Sequence, residues 1–262
     1  SYQIKNLETH LGVALFHRLN RAVELTPAGR ALGPAVGEGF RQILEGVRAV
    51  ERLGDDRGLT VTAGPAFTAK WLAPRFFGFA SAHPEIELRF VASLRILDFE
   101  RDGVDAAIRF GLRRDPDHYE ETLIDEWLVP VCAPQLAAGL RTAEDLLGAP
   151  LFHDESIAFL KLRTTWADWF AMMGLPDREE TRRGPRFSNA DHALDGALEG
   201  GGVALARASL AERDIRAGRL VMPVPVALRL PGQFRFVCRR GREREARIAT
   251  FLDWLREETA SI

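Results

Sequence analysis

From Leu59 onward the chain alternates short β-branched runs with amphipathic stretches, and this rhythm constrains the fold more than any other feature. LTVTAG reads as a strand, FTAKWLAPRFFGFASAH as a helix closed by Pro84, and IELRFV as a second strand. ILDFERD reads as a short helix, and VDAAIRFG as a third strand ending at Gly111. A second series follows: strand LVPVCAP, capped helix TAEDLLG, strand LFHD, the tryptophan-rich helix TTWADWFAMMG and strand RFSN. Helix ADHALDGALEGG, strand GVALAR, helix ASLAERDIRAG and strand FRFVCRR complete it. The last helix, 245–257, carries Ile248, Phe251, Leu252 and Leu255 on one face. Such alternation predicts an α/β fold: a parallel sheet with helices on both faces, in two small subdomains.

The first 58 residues follow a different rhythm. Ile4, Leu7 and Leu11 make one apolar stripe of a helix, leaving Ser1, Gln3, Lys5, Asn6 and His10 on the other faces. Those residue types donate to phosphates and base edges. Gly12 stops the helix, Val13 to Arg18 read as a second apolar turn, Asn20 and Arg21 as a polar tip, and 22–25 as a short strand. Thr26-Pro27 then opens a new helix, with Thr26 as N-cap and Pro27 in the first helical position. Helix, tip, strand and capped helix make the back half of a winged helix-turn-helix. Residues 27–53 read as one long helix striped by Leu32, Val36, Phe40, Ile43, Leu44, Val47, Val50 and Leu53, which predicts pairing with a second subunit. Gly54-Asp55-Asp56-Arg57-Gly58 reads as a hinge.

Bulk properties narrow the function. The net charge is -2, so DNA contact requires a local patch; residues 1–30 offer Lys5, Arg18, Arg21 and Arg30 against Glu8 and Glu24. No apolar run approaches the ~20 residues that span a bilayer, so no membrane role is expected. Cys132 and Cys238 lie in apolar strand-like runs and read as buried thiols suited to a reducing cytoplasm. The sequence holds no G-x-S-x-G elbow, Walker loop or H-E-x-x-H motif, and its six histidines lack metal-ligand spacing. No enzyme, cofactor or metal is therefore expected. The aromatic run Trp166, Trp169, Phe170 and Met173 is spaced for core packing.

Several literal motifs carry a resemblance. S-Y-Q-I-K-N-L-E-x-x-L-G-V-x-L-F-x-R followed by L-T-P-A-G-R resembles the LysR-type transcriptional regulators, within their recognition helix, wing and linker helix. W-L-A-P-R-F-x-x-F, H-P-E-I-E-L, G-V-D-A-A-I-R-F-G, G-x-G-V-A-L and A-G-R-L-V resemble the family's effector domain, which is built like a periplasmic binding protein. D-x-A-I-R-x-G, P-V-C-A-P and F-L-D-W-L are similar to the subgroup of glycine-cleavage and β-lactamase activators.

The resemblance implies a chain that starts inside its recognition helix. Residues 1–26 would be the DNA-binding part, 27–57 the linker helix and hinge, and 58–262 the effector domain. Subdomain I would take 58–125 and 240–262, and subdomain II 126–239. DNA contacts fall on Ser1, Tyr2, Gln3, Lys5, Asn6, Arg18, Asn20, Arg21 and Thr26. The implied partners are double-stranded DNA, a small-molecule effector, a further copy or copies of the chain, and RNA polymerase.

Ligands of open α/β sheets bind beyond the carboxyl ends of strands. That rule selects Ala66, Phe67 and Thr68 after the first strand, Arg95 and Asp98 after the second, and Arg109 and Phe110 at the third. Phe152, Asp154, Ser188, Asn189 and Gly202 come from the other subdomain. Effector-contacting positions of the family match Ala66, Asp98, Ser188, Asn189 and Phe234. Relatives often carry Ser or Thr where this chain has Ala66, which leaves Thr68 to supply a hydroxyl. The reading from a different class is a solute-binding module whose first helices serve assembly alone.

Overall fold

The structure is a computed structural model describing residues 2–18, 23–51, 57–112, 115–162, 164–175 and 178–260. Ser1, Asn20, Arg21 and most of the expected hinge lie outside the described residues. The chain divides into two compact units, Ser1–Asp55 with Arg101–Gly103, and Asp56–Glu100 with Val104–Ile262.

In the first unit, α1 (Tyr2–Leu11) ends at Gly12, whose φ of 68° suits glycine as the helix stop. Val13 to Arg18 do not form the expected helical turn. Phe16–Arg18 is a strand, β1, paired antiparallel with β2 (Val23–Leu25) through Phe16↔Leu25 and Arg18↔Val23. A three-residue strand next to a polar tip carries too little alternation to be legible. The Glu8 carboxylate ties α1 to this hairpin by accepting from Leu15 N (2.7 Å) and Phe16 N (3.2 Å).

The long helix α2 (Pro27–Glu51) begins at Thr26. The Thr26 hydroxyl accepts from Gly29 N (3.0 Å) and donates to Ala14 O (2.7 Å). An added Cβ at Gly29 would lie 2.1 Å from Leu15 O, so this position requires glycine. Val36, Phe40, Ile43, Leu44 and Val47 leave an exposed apolar stripe along α2.

The second unit is built on one sheet of eight strands in the order β4-β3-β5-β10-β6-β9-β7-β8. One lobe holds β3 (Gly58–Ala63), β4 (Glu87–Ala92) and β5 (Ala106–Gly111), mutually parallel. The other holds β7 (Leu151–Asp154), β8 (Arg186–Phe187) and β9 (Val203–Arg207), also parallel. Two long strands, β6 (His118–Val131) and β10 (Leu228–Arg239), run antiparallel between them and belong to both lobes. Residues 233–238, grouped with subdomain II by the sequence, pair with β5 of the first lobe. The crossing falls within β10, at the register break between Arg229 and Gln233.

The helix after β3 is continuous but not uniform: α3 (Pro65–Phe67), a π-helical stretch Thr68–Leu72, then α4 (Ala73–Ala82). Pro74 has no N–H to donate, and Ala73 N bonds Thr68 O across five residues, which widens the turn. Residues 96–102 are irregular and form turns where a helix was expected.

The helices α8 (Ala190–Leu198), α9 (Ala208–Arg216) and α10 (Ala246–Thr259) pack with α4 on the other side. Trp71, Phe79, Phe251 and Leu255 are fully buried there, and α10 buries the stripe that its spacing predicts. The helix α7 (Trp166–Met172) opens with a Thr165–Asp168 capping box and buries Trp166, Trp169 and Phe170 in the second lobe. Lys70 reaches Asp195 of α8 (2.5 Å) and Arg75 reaches Glu212 of α9 (2.8 Å), joining the lobes on their helical side.

Candidate functional site

Alternation along β5 sorts the candidates. Ile108 and Phe110 face the main core, whereas Ala107 and Arg109 face the opposite side with Phe99 and Val237. Phe110 packs against the main apolar core, which spans both lobes, and against the second lobe's own cluster. Its ring lies 4.9 Å from that of Phe234, Phe67 lies 4.4 Å beyond, and Trp71 stacks on Phe67 at 5.0 Å. Gly232 makes this approach possible, because a Cβ there would sit 2.6 Å from the Phe110 ring.

Arg207, the last residue of the otherwise apolar β9, extends over Phe110 with its guanidinium carbon 5.5 Å from the ring centre. It is 6% exposed. Its Nη2 donates to Ser156 Oγ (3.0 Å) and loosely to Asp154 Oδ2 (3.5 Å). Its Nε is enclosed without a partner. Thr68 Oγ1 and Asp191 Oδ1, near the starts of two helices that follow strands, are also buried without partners. An unmet buried polar group costs about 1–3 kcal/mol, and Trp71 Nε1, Glu120 Oε2 and Glu212 Oε1 likewise lack a hydrogen bond elsewhere in the unit.

Behind Arg207 lies a buried carboxyl. Glu126 on β6 accepts from Ser209 Oγ (2.5 Å), Ser209 N (3.2 Å) and Trp127 N (3.0 Å). Burial pushes its pKa up, with the Ser209 bonds and the Arg207 charge opposing. Neither Arg207 nor Glu126 was selected from the sequence. The available signal was a lone arginine ending a fully buried apolar strand.

The structure therefore brings together Ala66, Phe67, Phe152 and Phe234 in one core, with Phe110 packed against it. Asp154 joins them through Arg207. Ser188 is exposed, and Asn189 occupies the N-cap of α8 without a side-chain cap bond. Other candidates part from the group. Arg109 donates to Leu97 O (3.0 Å) beneath Phe99, on the opposite sheet face, and burial there lowers its pKa. Asp98 caps its own turn by accepting from Glu100 N (3.0 Å), and Arg95 is exposed in a turn around Ser93. Gly202 is a packing glycine: a Cβ would meet Phe152 at 2.6 Å and Pro150 O at 2.5 Å.

In the first unit Tyr2, Gln3, Lys5 and Asn6 are all exposed on α1, Tyr2 at 76%. Thr26 is buried with its hydroxyl engaged on both sides, so it serves the start of α2 rather than a DNA surface. Two open grooves of about 400 Å³ and 410 Å³ lie along α9, lined by Glu212 and Arg216 in both cases. No group of His, Cys, Asp and Glu fit for a metal occurs among the described residues. Burial pushes the Cys132 thiol up to about 11 and Cys238 up to about 12, away from reactive thiolates.

A family model of the LysR substrate binding domain matches residues 54–260, and one of the bacterial regulatory helix-turn-helix protein, lysR family, matches 1–30. The chain belongs to the LysR family. The glycine cleavage system transcriptional activator of Escherichia coli is 37% identical over 264 residues, covering 100% of this chain and 84% of that protein. The HTH-type transcriptional activator AmpR of Rhodobacter capsulatus is 33% identical, covering 99% and 87%. Among solved structures, the effector domain of Pseudomonas aeruginosa AmpR superposes with a TM-score of 0.63 at 30% identity, over 78% of this chain and 96% of that one. This LysR-type chain is thus a transcriptional regulator with an effector-binding domain, and its two-lobed sheet is that domain's fold. The match to the helix-turn-helix model tells against a solute-binding module without DNA.

Proposed function

We propose that this regulator reads operator DNA through the exposed polar face of α1 and answers to a small effector held at the strand ends around Arg207. On α1, Tyr2, Gln3, Lys5 and Asn6 present donors at helical spacing to a major groove, while Arg18 ends the hairpin strand β1 that would flank it. The observation that carries the DNA reading is the match of residues 1–30 to the family's DNA-binding model, with those side chains exposed. The α2 stripe supports self-association, since five large apolar residues on one helix are left in water. The names of the similar activators support promoter activation as the output, and recruitment of RNA polymerase in the cytoplasm is part of the same proposal.

An effector shifts such a protein by binding one arrangement of its lobes better than another. The strands β6 and β10 are the connections about which the lobes rearrange, and Arg207, Phe110 and Glu126 sit beside them. The experiment is fluorescence anisotropy of the full chain with DNA from upstream of its own gene, at two salt concentrations. Sequence-preferring binding that weakens steeply with salt is the expected result. Replacing Lys5 with Ala is expected to weaken binding to all sequences and flatten the salt slope by about one. An unchanged affinity in that variant removes α1 as the DNA surface.

A further inference from the structure

We propose that the two ion pairs joining the lobes on their helical side divide the work, Arg75–Glu212 as a fixed pivot and Lys70–Asp195 as a latch that salt releases. The arrangement of the lobes then answers to ionic strength as well as to an effector. Neither Lys70 nor Asp195 is among the strand-end residues assigned to the effector, so the latch stands or falls by itself. Both pairs start from one element, the helix that follows β3 in the first lobe, which packs against α8 and α9 of the second. Lys70 lies in its π-helical stretch, Thr68–Leu72, and Arg75 lies on α4, about 7 Å farther along the axis.

The surroundings of the two pairs differ. The Arg75 and Glu212 side chains are 15% and 11% exposed. The Arg75 guanidinium is held on every side: Nη2 donates to Glu212 Oε2 (2.8 Å) and Nη1 to Trp71 O (3.1 Å), Nε faces Glu258 Oε2 of α10 (3.2 Å), and the Trp71 ring lies 4.5 Å away. Parting that pair strands a buried charge, which bulk ions screen poorly. Among the described residues the Lys70 ammonium meets one partner, Asp195 Oδ1 at 2.5 Å, and Asp195 is 61% exposed. A partly exposed pair is worth little and weakens in salt.

Residue types match this division. Lysine stands at three positions, 5, 70 and 161, among 35 lysines and arginines, so a cation in this chain is ordinarily arginine. The fork of Arg75 fixes a direction, whereas the point charge of Lys70 does not. The turn that carries Lys70 is also the least regular part of its helix. Ala73 N bonds Thr68 O there, and Thr68 Oγ1 and Trp71 Nε1 are buried without hydrogen bonds. A small rotation about Arg75 therefore draws Lys70 away from Asp195 at little cost and leaves the pivot intact.

The test measures the distance between nitroxides on Leu94→Cys of the first lobe and Phe159→Cys of the second, by double electron–electron resonance on the full chain. Both positions are exposed, and the natural thiols Cys132 and Cys238 are buried, so labelling is selective. Labelled chain is diluted into unlabelled chain so that each assembly carries one labelled copy. Between about 0.05 and 0.5 M KCl a second distance population is expected to grow about 2- to 5-fold, the scale that an exposed ion pair can hold. Lys70→Met is expected to show the high-salt distribution already at low salt and to lose the response. Lys70→Asp combined with Asp195→Lys is expected to restore it. Arg75→Lys is expected to broaden the distribution at both salt concentrations, because the charge remains but the fork does not. A natural chain whose distances do not move with salt overturns the proposal without requiring any variant to fold. A Lys70→Met distribution equal to the natural one at low salt overturns the latch, and a charge swap that behaves like Lys70→Met overturns the pairing. An Arg75→Lys distribution as narrow as that of the natural chain overturns the pivot.

Discussion

Glu126 is 0% exposed on a strand shared by both lobes, and its partners are a hydroxyl and two backbone amides rather than a direct cation. Burial raises its pKa above the ordinary 4.5, so the folded chain holds this proton more tightly than the unfolded chain does. The stability it adds is complete below that ordinary value and is lost as pH rises through the raised one. Glu126→Gln keeps the shape without the titration. Thermal melts from acid toward neutral pH are expected to show a smaller decline for the variant; parallel curves would remove Glu126 as the source. At this scale Phe67, Phe110 and Phe152 were selected by the strand-end rule, whereas Phe234 entered only through the family resemblance. The same rule took in Arg109, which does not join them, because neighbours on a strand face opposite ways and Phe110 had already taken the inner face. Arg207 was missed because GVALAR reads as ordinary buried strand, and nothing local shows that its last side chain turns back over a ring.

At the scale of elements, the start of α2 is the tightest joint in the first unit. Gly29→Ala places a methyl 2.1 Å from Leu15 O, and the backbone must yield. Overpacking of this kind costs about 1–3 kcal/mol. Faster exchange of the Arg30 amide, which bonds Thr26 O at 2.9 Å, is the expected signature in hydrogen-exchange measurements. Farther along α2, Phe40→Asp with Ile43→Asp places charges in the exposed stripe, and sedimentation is expected to report a smaller species than the natural chain. An unchanged mass would assign the stripe another role. Capped helices with clear stripes were readable in advance: Thr165 and Asp168 box the start of α7, and α10 buries Ile248, Phe251 and Leu252. The hairpin strand β1 and the turns at 96–102 were not, since three residues are too few to show alternation and the turn is set by local bonds such as Glu100 N to Asp98 Oδ1 rather than by periodicity.

For the molecule as a whole, alternation gave the lobes but not the order of the sheet. Nothing in FRFVCRR announces a strand that crosses both lobes, because its burial comes from neighbours more than a hundred residues away, as Phe236 paired with Ile108 shows. The same crossing makes Gly232 sensitive. Gly232→Ala brings a methyl 2.6 Å from the Phe110 ring, where the lobes meet. It is expected to cost about 1–3 kcal/mol and to appear as one lowered, still cooperative transition in calorimetry. Two separated transitions would mean that the lobes melt independently.

The placement of β10 between β5 and β6 also bears on how the chain comes off the ribosome. Both flanking strands are synthesised long before it, yet β5 pairs on one side with β3 and on the other with Gln233–Cys238. Until those last residues emerge, each strand presents a bare edge through most of translation. Such edges recruit foreign strands. A chain stopped short of residue 228 would then be a substrate for chaperones and proteases rather than a smaller working protein, and assembly of the sheet becomes one of the last events of its synthesis.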